Sequence, residues 1–310
     1  MIGTDANGDE QAMSVSTEIN VEARAEIIPK TRTDPSLALT VITPPTGRAF
    51  VDVGELWRFR DLLYFLAWRD VKVRYKQTVL GVAWAVLQPA LMMVVFTIFF
   101  SRLAGASSGD LPYSLFAYAG LLPWTFFSSA VAAAGNSVIG SERIITKVYF
   151  PRLSIPFAAV AASVIDFFVA LGLLAVLMAW HGIAPGPYLW VALIVFAVIV
   201  LAALGVGTML SALNVSYRDF RYVIPFLLQI WMFATPTVYM QADGPARGGL
   251  LGAALAANPL TGLIGAFRAS VLGGPIPWGS LVVASLCSVM LFVVGCLYFR
   301  RAEDRFADVI

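Results

Sequence analysis

Of 310 residues, 59% are hydrophobic and 13% charged, and a mean hydropathy of +0.80 is far above that of a soluble domain, so lipid must be the chain's main solvent. The formal net charge of +2 gives no argument for a nucleic-acid partner, and a single histidine, His181, excludes His-based triads and multi-histidine metal sites. The two cysteines, Cys287 and Cys296, share one apolar stretch and suit buried thiols better than a disulfide framework or a metal site.

Residues 1–50 are polar and carry Pro35, Pro44 and Pro45. They read as a disordered cytoplasmic tail rather than a secretory signal. Residues 51–78 mix Trp57, Phe59, Tyr64, Phe65, Trp68 and Tyr75 with six basic side chains, and Arg58, Asp61, Arg69, Lys72 and Lys76 share one helical face. This predicts an amphipathic helix in the membrane interface, with a strand over Val71 to Lys76 as the alternative. Residues 79–300 form the membrane domain. A hydrocarbon core about 30 Å thick needs about 20 apolar helical residues, and six stretches qualify: Val79 to Phe100, Tyr113 to Ile139, Leu153 to Trp180, Tyr188 to Leu213, Tyr222 to Met240 and Ser280 to Phe299. Between the last two, the apolar run Leu250 to Leu272 is interrupted by Asn258, Pro259, Gly262 and Arg268. It predicts re-entrant or interfacial helices on the outer side, with a simple outer loop as the alternative. Residues 301–310 are a short cytoplasmic tail.

Orientation follows from the basic residues in short loops. Arg58, Arg60, Arg69, Lys72, Arg74 and Lys76 precede the first span; Arg143, Lys147 and Arg152 separate the second and third; Arg218 and Arg221 separate the fourth and fifth; Arg300, Arg301 and Arg305 follow the sixth. Arg102, Arg247 and Arg268 fall opposite. Both termini are therefore expected in the cytoplasm of an all-α, six-span inner-membrane protein.

Chemistry by the chain itself has little support. A membrane glycosyltransferase usually needs paired outer carboxylates, and the first outer loop offers Asp110 alone. None of Lys30, Lys72, Lys76 and Lys147 follows a glycine, so there is no Walker A lysine. Asp166 is the ionisable residue deep in a span, where it costs about 2.5–3.5 kcal/mol at a helix centre. It is a gate or proton-coupling residue, or a structural hydrogen-bonding group; Arg218 and Asp219 carry the same gate-or-structural alternatives. A proton-coupled carrier would show more intramembrane charge than this. The loop Ser141 to Leu153 can form a short helix capped by Ser141, begun at Glu142 and ended by Pro151. It is either a docking knob or an ordinary basic loop.

Six blocks carry a family likeness: R-Y-K-Q-T-V-L-G-V-A-W-A-V-L-Q-P (Arg74 to Pro89), G-L-L-P-W-T-F-F-S (Gly120 to Ser128), I-T-K-V-Y-F-P-R-L (Ile145 to Leu153), N-V-S-Y-R-D-F-R-Y (Asn214 to Tyr222), T-P-T-V-Y (Thr235 to Tyr239) and N-P-L-T-G-L-I-G-A-F-R (Asn258 to Arg268). In this order they resemble the permease subunits of type-2 ABC exporters for O-antigen, capsule, teichoic acid and related glycans. The resemblance implies a homodimer served by two separate ATPase subunits that hold ATP and Mg, a gate or connector helix over residues 55–77, and a coupling helix containing Glu142, Arg143, Lys147, Tyr149 and Phe150. It implies no catalysis and no cofactor in this chain, and a polyprenyl-diphosphate-linked glycan as cargo. Trp84, Phe96, Phe100, Trp231, Phe233 and Tyr239 are then candidates for stacking on sugar in the pore, or are packing and lipid-facing aromatics. Arg58, Arg60, Lys72, Arg74 and Lys76 meet the lipid diphosphate at the entrance, or simply anchor the chain. A drug or small-lipid exporter on the same scaffold and a membrane glycosyltransferase are the competing readings.

Overall fold

Lipid offers the backbone no hydrogen-bonding partners, so apolar segments of this length must pair their own polar groups, and they do so as helices. The computed structural model describes residues 53–76, 81, 83–103, 111–145, 150–237, 258–303 and 306. The tail expected at 1–50 and the first part of the 250–272 run lie outside the described residues.

The predicted interface segment forms α1 (Val53–Arg58) and α2 (Arg60–Lys76), separated at Phe59. The strand alternative over residues 71–76 is overturned, because these residues complete the helical hydrogen-bond ladder of α2 and no described strand is present to pair with them. Next come α3 (Ala83–Phe96), which continues into a π-helical segment at Thr97–Leu103, then α4 (Tyr113–Gly140) and the one-turn α5 (Glu142–Ile145). The long helices α6 (Ser154–Trp180) and α7 (Leu189–Ser216) follow. The remaining elements are α8 (Phe220–Phe233), α9 (Pro259–Leu272) and α10 (Trp278–Glu303).

Five of these stretches are long and apolar enough to cross a membrane: Ala83–Phe100, α4, α6, α7 and α10. The span expected at Tyr222 to Met240 is a 14-residue helix, α8, followed by turns at residues 234–237; residues beyond 237 lie outside the described set. Helix α9 also has 14 residues, a rise of about 21 Å against a core of about 30 Å. It begins at a residue pair suited to that purpose: Asn258 caps it by accepting from the Leu260 N–H at 3.2 Å, Pro259 occupies the first turn, and Gly273 ends it with φ of 83°.

Helix α4 is the axis of the bundle. It packs against α3, α6, α7, α8 and α9, and most of its side chains from Tyr113 to Val138 are buried. A close backbone approach joins α7 to α10: a Cβ on Gly295 would strike the Gly205 carbonyl and one on Gly205 the backbone at Phe292, so both helices need glycine at the crossing. Helix α3 is the opposite case, since Pro89 is its single buried residue while Trp84, Leu91, Val94 and Val95 are exposed.

Candidate functional site

Polar and ionic contacts between helices gather at three levels of the bundle. At the basic end, a second apolar cluster joins Val138 of α4, Phe150, Leu153 and Ile155, Ala212 and Val215 of α7, and Cys296, Phe299 and Phe306. Ile144 and Ile145 of α5 and Phe59 and Leu62 of the interface segment pack onto it. The short helix α5 starts on the Ser141 carbonyl, which accepts from the Ile144 N–H at 2.9 Å. Its Glu142 and Arg143 are exposed, whereas Phe150 is buried at 4%. Phe150 therefore anchors the loop from beneath rather than presenting itself outward. Arg152 donates to the Glu303 carbonyl at 2.6 Å, tying this loop to the end of α10. Nearby, Asn214 donates to the Gly135 carbonyl at 2.9 Å and to Asn136 Oδ1 at 3.2 Å, joining α7 to α4. Lys147 and Tyr149 lie outside the described residues.

Halfway along α6, Asp166 receives both Arg74 and Tyr75 from the end of α2. Adjacent residues point about 100° apart on a helix, so Arg74 and Tyr75 can straddle one carboxylate only from a helix end that faces it. Arg74 was expected among the cations of a substrate entrance; its guanidinium is instead held by Asp166. The other four entrance candidates, Arg58, Arg60, Lys72 and Lys76, are exposed along α1 and α2. Arg60 lies 3.7 Å from Asp61, and its Cζ is 5.2 Å from the Trp57 ring centre. Arg218 and Asp219 are exposed in the turn between α7 and α8.

At the opposite end, three of the sequence blocks meet. Trp231 Nε1 donates to Asn258 Oδ1 at 3.0 Å, Asn258 Nδ2 donates to Thr235 Oγ1 at 2.8 Å, and Thr235 donates to the Trp231 carbonyl at 2.9 Å. Trp231 also meets Phe127 edge-on at 5.2 Å. Beside this network, Arg268 Nη2 donates to the Thr237 carbonyl at 2.6 Å, and its Cζ sits 3.8 Å from the Phe116 ring centre. Gly120 leaves room for that guanidinium: a Cβ there would collide with both Arg268 Nη2 and the Thr237 carbonyl. The six pore-aromatic candidates accordingly divide. Trp231 is built into this network; Phe96 and Phe100 lie near each other with ring centres 5.9 Å apart; Trp84 and Phe233 are exposed; Tyr239 lies outside the described residues.

Tyr75, Asn136, Asn214, Asn258 and Arg268 were not singled out as site residues in the sequence. Asn258 and Arg268 left a signal, a cap followed by proline and a cation inside an apolar run. No described group of three or more His, Cys, Asp and Glu residues could hold a metal ion.

The sequence model of the family described as "ABC-2 type transporter" matches residues 61–272. The O-antigen export system permease protein RfbA of Myxococcus xanthus is 31% identical over 267 residues, covering 83% of this chain and 98% of that protein. An RfbA of Klebsiella pneumoniae is 26% identical over 251 residues, 81% of this chain and 95% of its own length. The polysialic acid transport protein KpsM of Escherichia coli is 20% identical over 244 residues, 76% and 91% of the two chains.

Proposed function

The chain belongs to the ABC-2 type transporter family, and from that premise we propose that it is the membrane permease of an ATP-driven exporter of a lipid-linked polysaccharide. Membership makes it a multi-pass transport subunit rather than an enzyme, and implies an ATP-binding-cassette partner. The observation that carries the cargo reading is the near end-to-end similarity to O-antigen export permeases, 98% of the Myxococcus xanthus protein's length.

The ATPase, present in two copies and holding ATP and Mg, docks on the segment Glu142 to Phe150. Exposed Glu142 and Arg143 make its contacts, with Lys147 and Tyr149 as further docking residues. Movement of α5 passes through the apolar cluster it shares with Phe59 and Leu62 to the interface helices, and from α2 to α6 through the Arg74, Tyr75 and Asp166 clasp. The basic loops face the cytoplasm of the inner membrane. Helix α8 makes the fifth of six crossings, so that α10 returns Arg300 and Arg301 to the cytoplasmic side, and α9 is re-entrant from outside.

A second copy of the chain meets the faces of α3 and α8 on which Val95, Tyr222 and Phe226 are exposed among the described residues. Trp84, Phe96, Phe100 and Phe233 line a pore between the copies, where aromatic faces stack on sugar rings. Arg58, Arg60, Lys72 and Lys76 attract the lipid diphosphate at the cytoplasmic entrance.

Affinity purification from native membranes with mass spectrometry of co-purifying chains and lipids tests this. An equimolar Walker-motif ATPase and a retained polyprenyl-linked glycan are expected. A chain that emerges alone from several mild detergents overturns the exporter reading, and a co-purifying ATPase with a different retained cargo overturns the glycan assignment.

A further inference from the structure

A cavity of about 510 Å³ opens between the second half of α6, the first half of α7 and α9. Every residue lining it is apolar, from Phe167 to Ala179 on α6 and from Leu189 to Phe196 on α7, with Phe267 and Val271 of α9 at the back. A site without polar groups holds neither a headgroup nor ordered water, and its volume falls in the range of ordinary ligand pockets.

Its inner limit is a rigid aromatic floor. Phe167 and Phe196 are stacked with centres 3.9 Å apart, and Phe267 meets Phe167 edge-on at 6.0 Å. Its mouth lies at the end of α6, where Trp180, Tyr188 and Trp190 are exposed. Tryptophan and tyrosine gather at the headgroup level, so this belt marks the membrane surface. From Phe167 to Ala179 the helix rises about 18 Å, close to the roughly 15 Å of one leaflet's hydrocarbon. The cavity therefore runs from the headgroup level to the bilayer midplane and stops there. Phe168 and Leu193 at its sides are half or more exposed, so it opens laterally to lipid.

The dimensions select the occupant. From mouth to floor the cavity is about 18 Å long, close to the roughly 15 Å of one leaflet's hydrocarbon that an acyl chain fills. A long isoprenoid would overrun the floor. We propose that this cavity is a binding site for one acyl chain of a phospholipid in the outer leaflet, held as a structural lipid between α6, α7 and α9. The assignment rests on the reading of α6 and α7 as spans and their outer halves as non-cytoplasmic, and is independent of the cargo.

The test uses the full chain with its ATPase partner in liposomes of phosphatidylethanolamine and phosphatidylglycerol, doped with phosphatidylethanolamine carrying a diazirine at one of three depths on the acyl chain. After illumination, peptide mass spectrometry should find adducts over residues 167–196 several-fold above those on the exposed Val282, Val283, Leu286, Val289 and Met290 of α10. The adducts should move from Leu189 towards Phe167 and Phe196 as the diazirine moves from the headgroup end to the chain end. This depth series needs no variant. Ala175→Trp, which fills the cavity, should abolish the excess. Labelling equal to that of α10, or indifferent to diazirine depth, overturns the proposal. So does competition by polyprenyl phosphate, which would give the site to an isoprenoid tail, and so does a Leu193→Cys cross-link between copies. None of these outcomes depends on export, so failure here leaves the transport reading intact.

Discussion

Two of the bundle's polar joints differ in kind. At the non-basic end, α8 and α9 are joined by uncharged groups at ordinary hydrogen-bond distances, with Asn258 serving Trp231, Thr235 and the Leu260 N–H together. At mid-height, α2 is joined to α6 by a charged clasp on Asp166, at the end of a helix whose outer face, with Tyr64, Phe65, Trp68 and Val73, is exposed. A neutral network inside packed helices gains little from opening, because its freed groups find no other partner. An ion pair whose Arg74 and Asp166 side chains are still 35% and 19% accessible is held less firmly than a fully buried one. The first joint is suited to fixing the short helix α9, the second to transmitting and releasing motion.

Breaking the fixed joint should have the largest effect on stability. Asn258→Leu removes the cap of α9, leaves the Trp231 N–H unpaired and takes away the donor to Thr235 Oγ1, an expected loss of roughly 2–4 kcal/mol. It is checked by thermal unfolding in detergent, followed by size-exclusion chromatography. Breaking the clasp should cost less: Asp166→Ala strands Arg74, and partial exposure reduces the 3–5 kcal/mol of a fully buried pair to roughly 1–3 kcal/mol. The exchanged pair Arg74→Asp with Asp166→Arg should recover part of that loss and of export, which neither single change does. Tyr75→Phe leaves the charges and removes one hydrogen bond, an expected cost of about 0.5–1.5 kcal/mol. If Asp166→Ala proved as damaging to stability as Asn258→Leu, both joints would be structural and the contrast would fail.

Much of this was legible in the sequence, and the exceptions have physical causes. Spans such as α4, α6, α7 and α10 follow from uninterrupted apolar runs, since lipid leaves such runs one conformation. The beginning of α9 is written in Asn258 and Pro259. The end of α8 was not, because the apolar composition runs on past Phe233 while the chain turns at Ala234 to Thr237. Asp166 could be identified as needing a partner, but not which one: Arg74 lies 92 positions away, among six cations that periodicity cannot rank. Phe150 read as a docking residue because aromatic composition does not reveal which side of a loop is buried. Composition is equally silent on Trp231, whose indole N–H partner lies 27 positions downstream.

The smallest effect on stability should accompany the largest separation of function from folding. Glu142 and Arg143 are exposed on α5, while Ile144 and Ile145 of the same turn hold it to the apolar cluster. Replacing both charged residues with alanine should therefore change stability by no more than about 0.5 kcal/mol. If this turn is where the ATPase pushes, the variant should insert and fold normally, retain the clasp, and lose export while the partner's ATP hydrolysis continues without cargo. Ile144→Ala is the converse test: it should loosen α5 from the cluster and lower both stability and export. Unchanged glycan export in the Glu142→Ala, Arg143→Ala variant would remove α5 from the coupling path and leave the clasp on Asp166 without an input at this end.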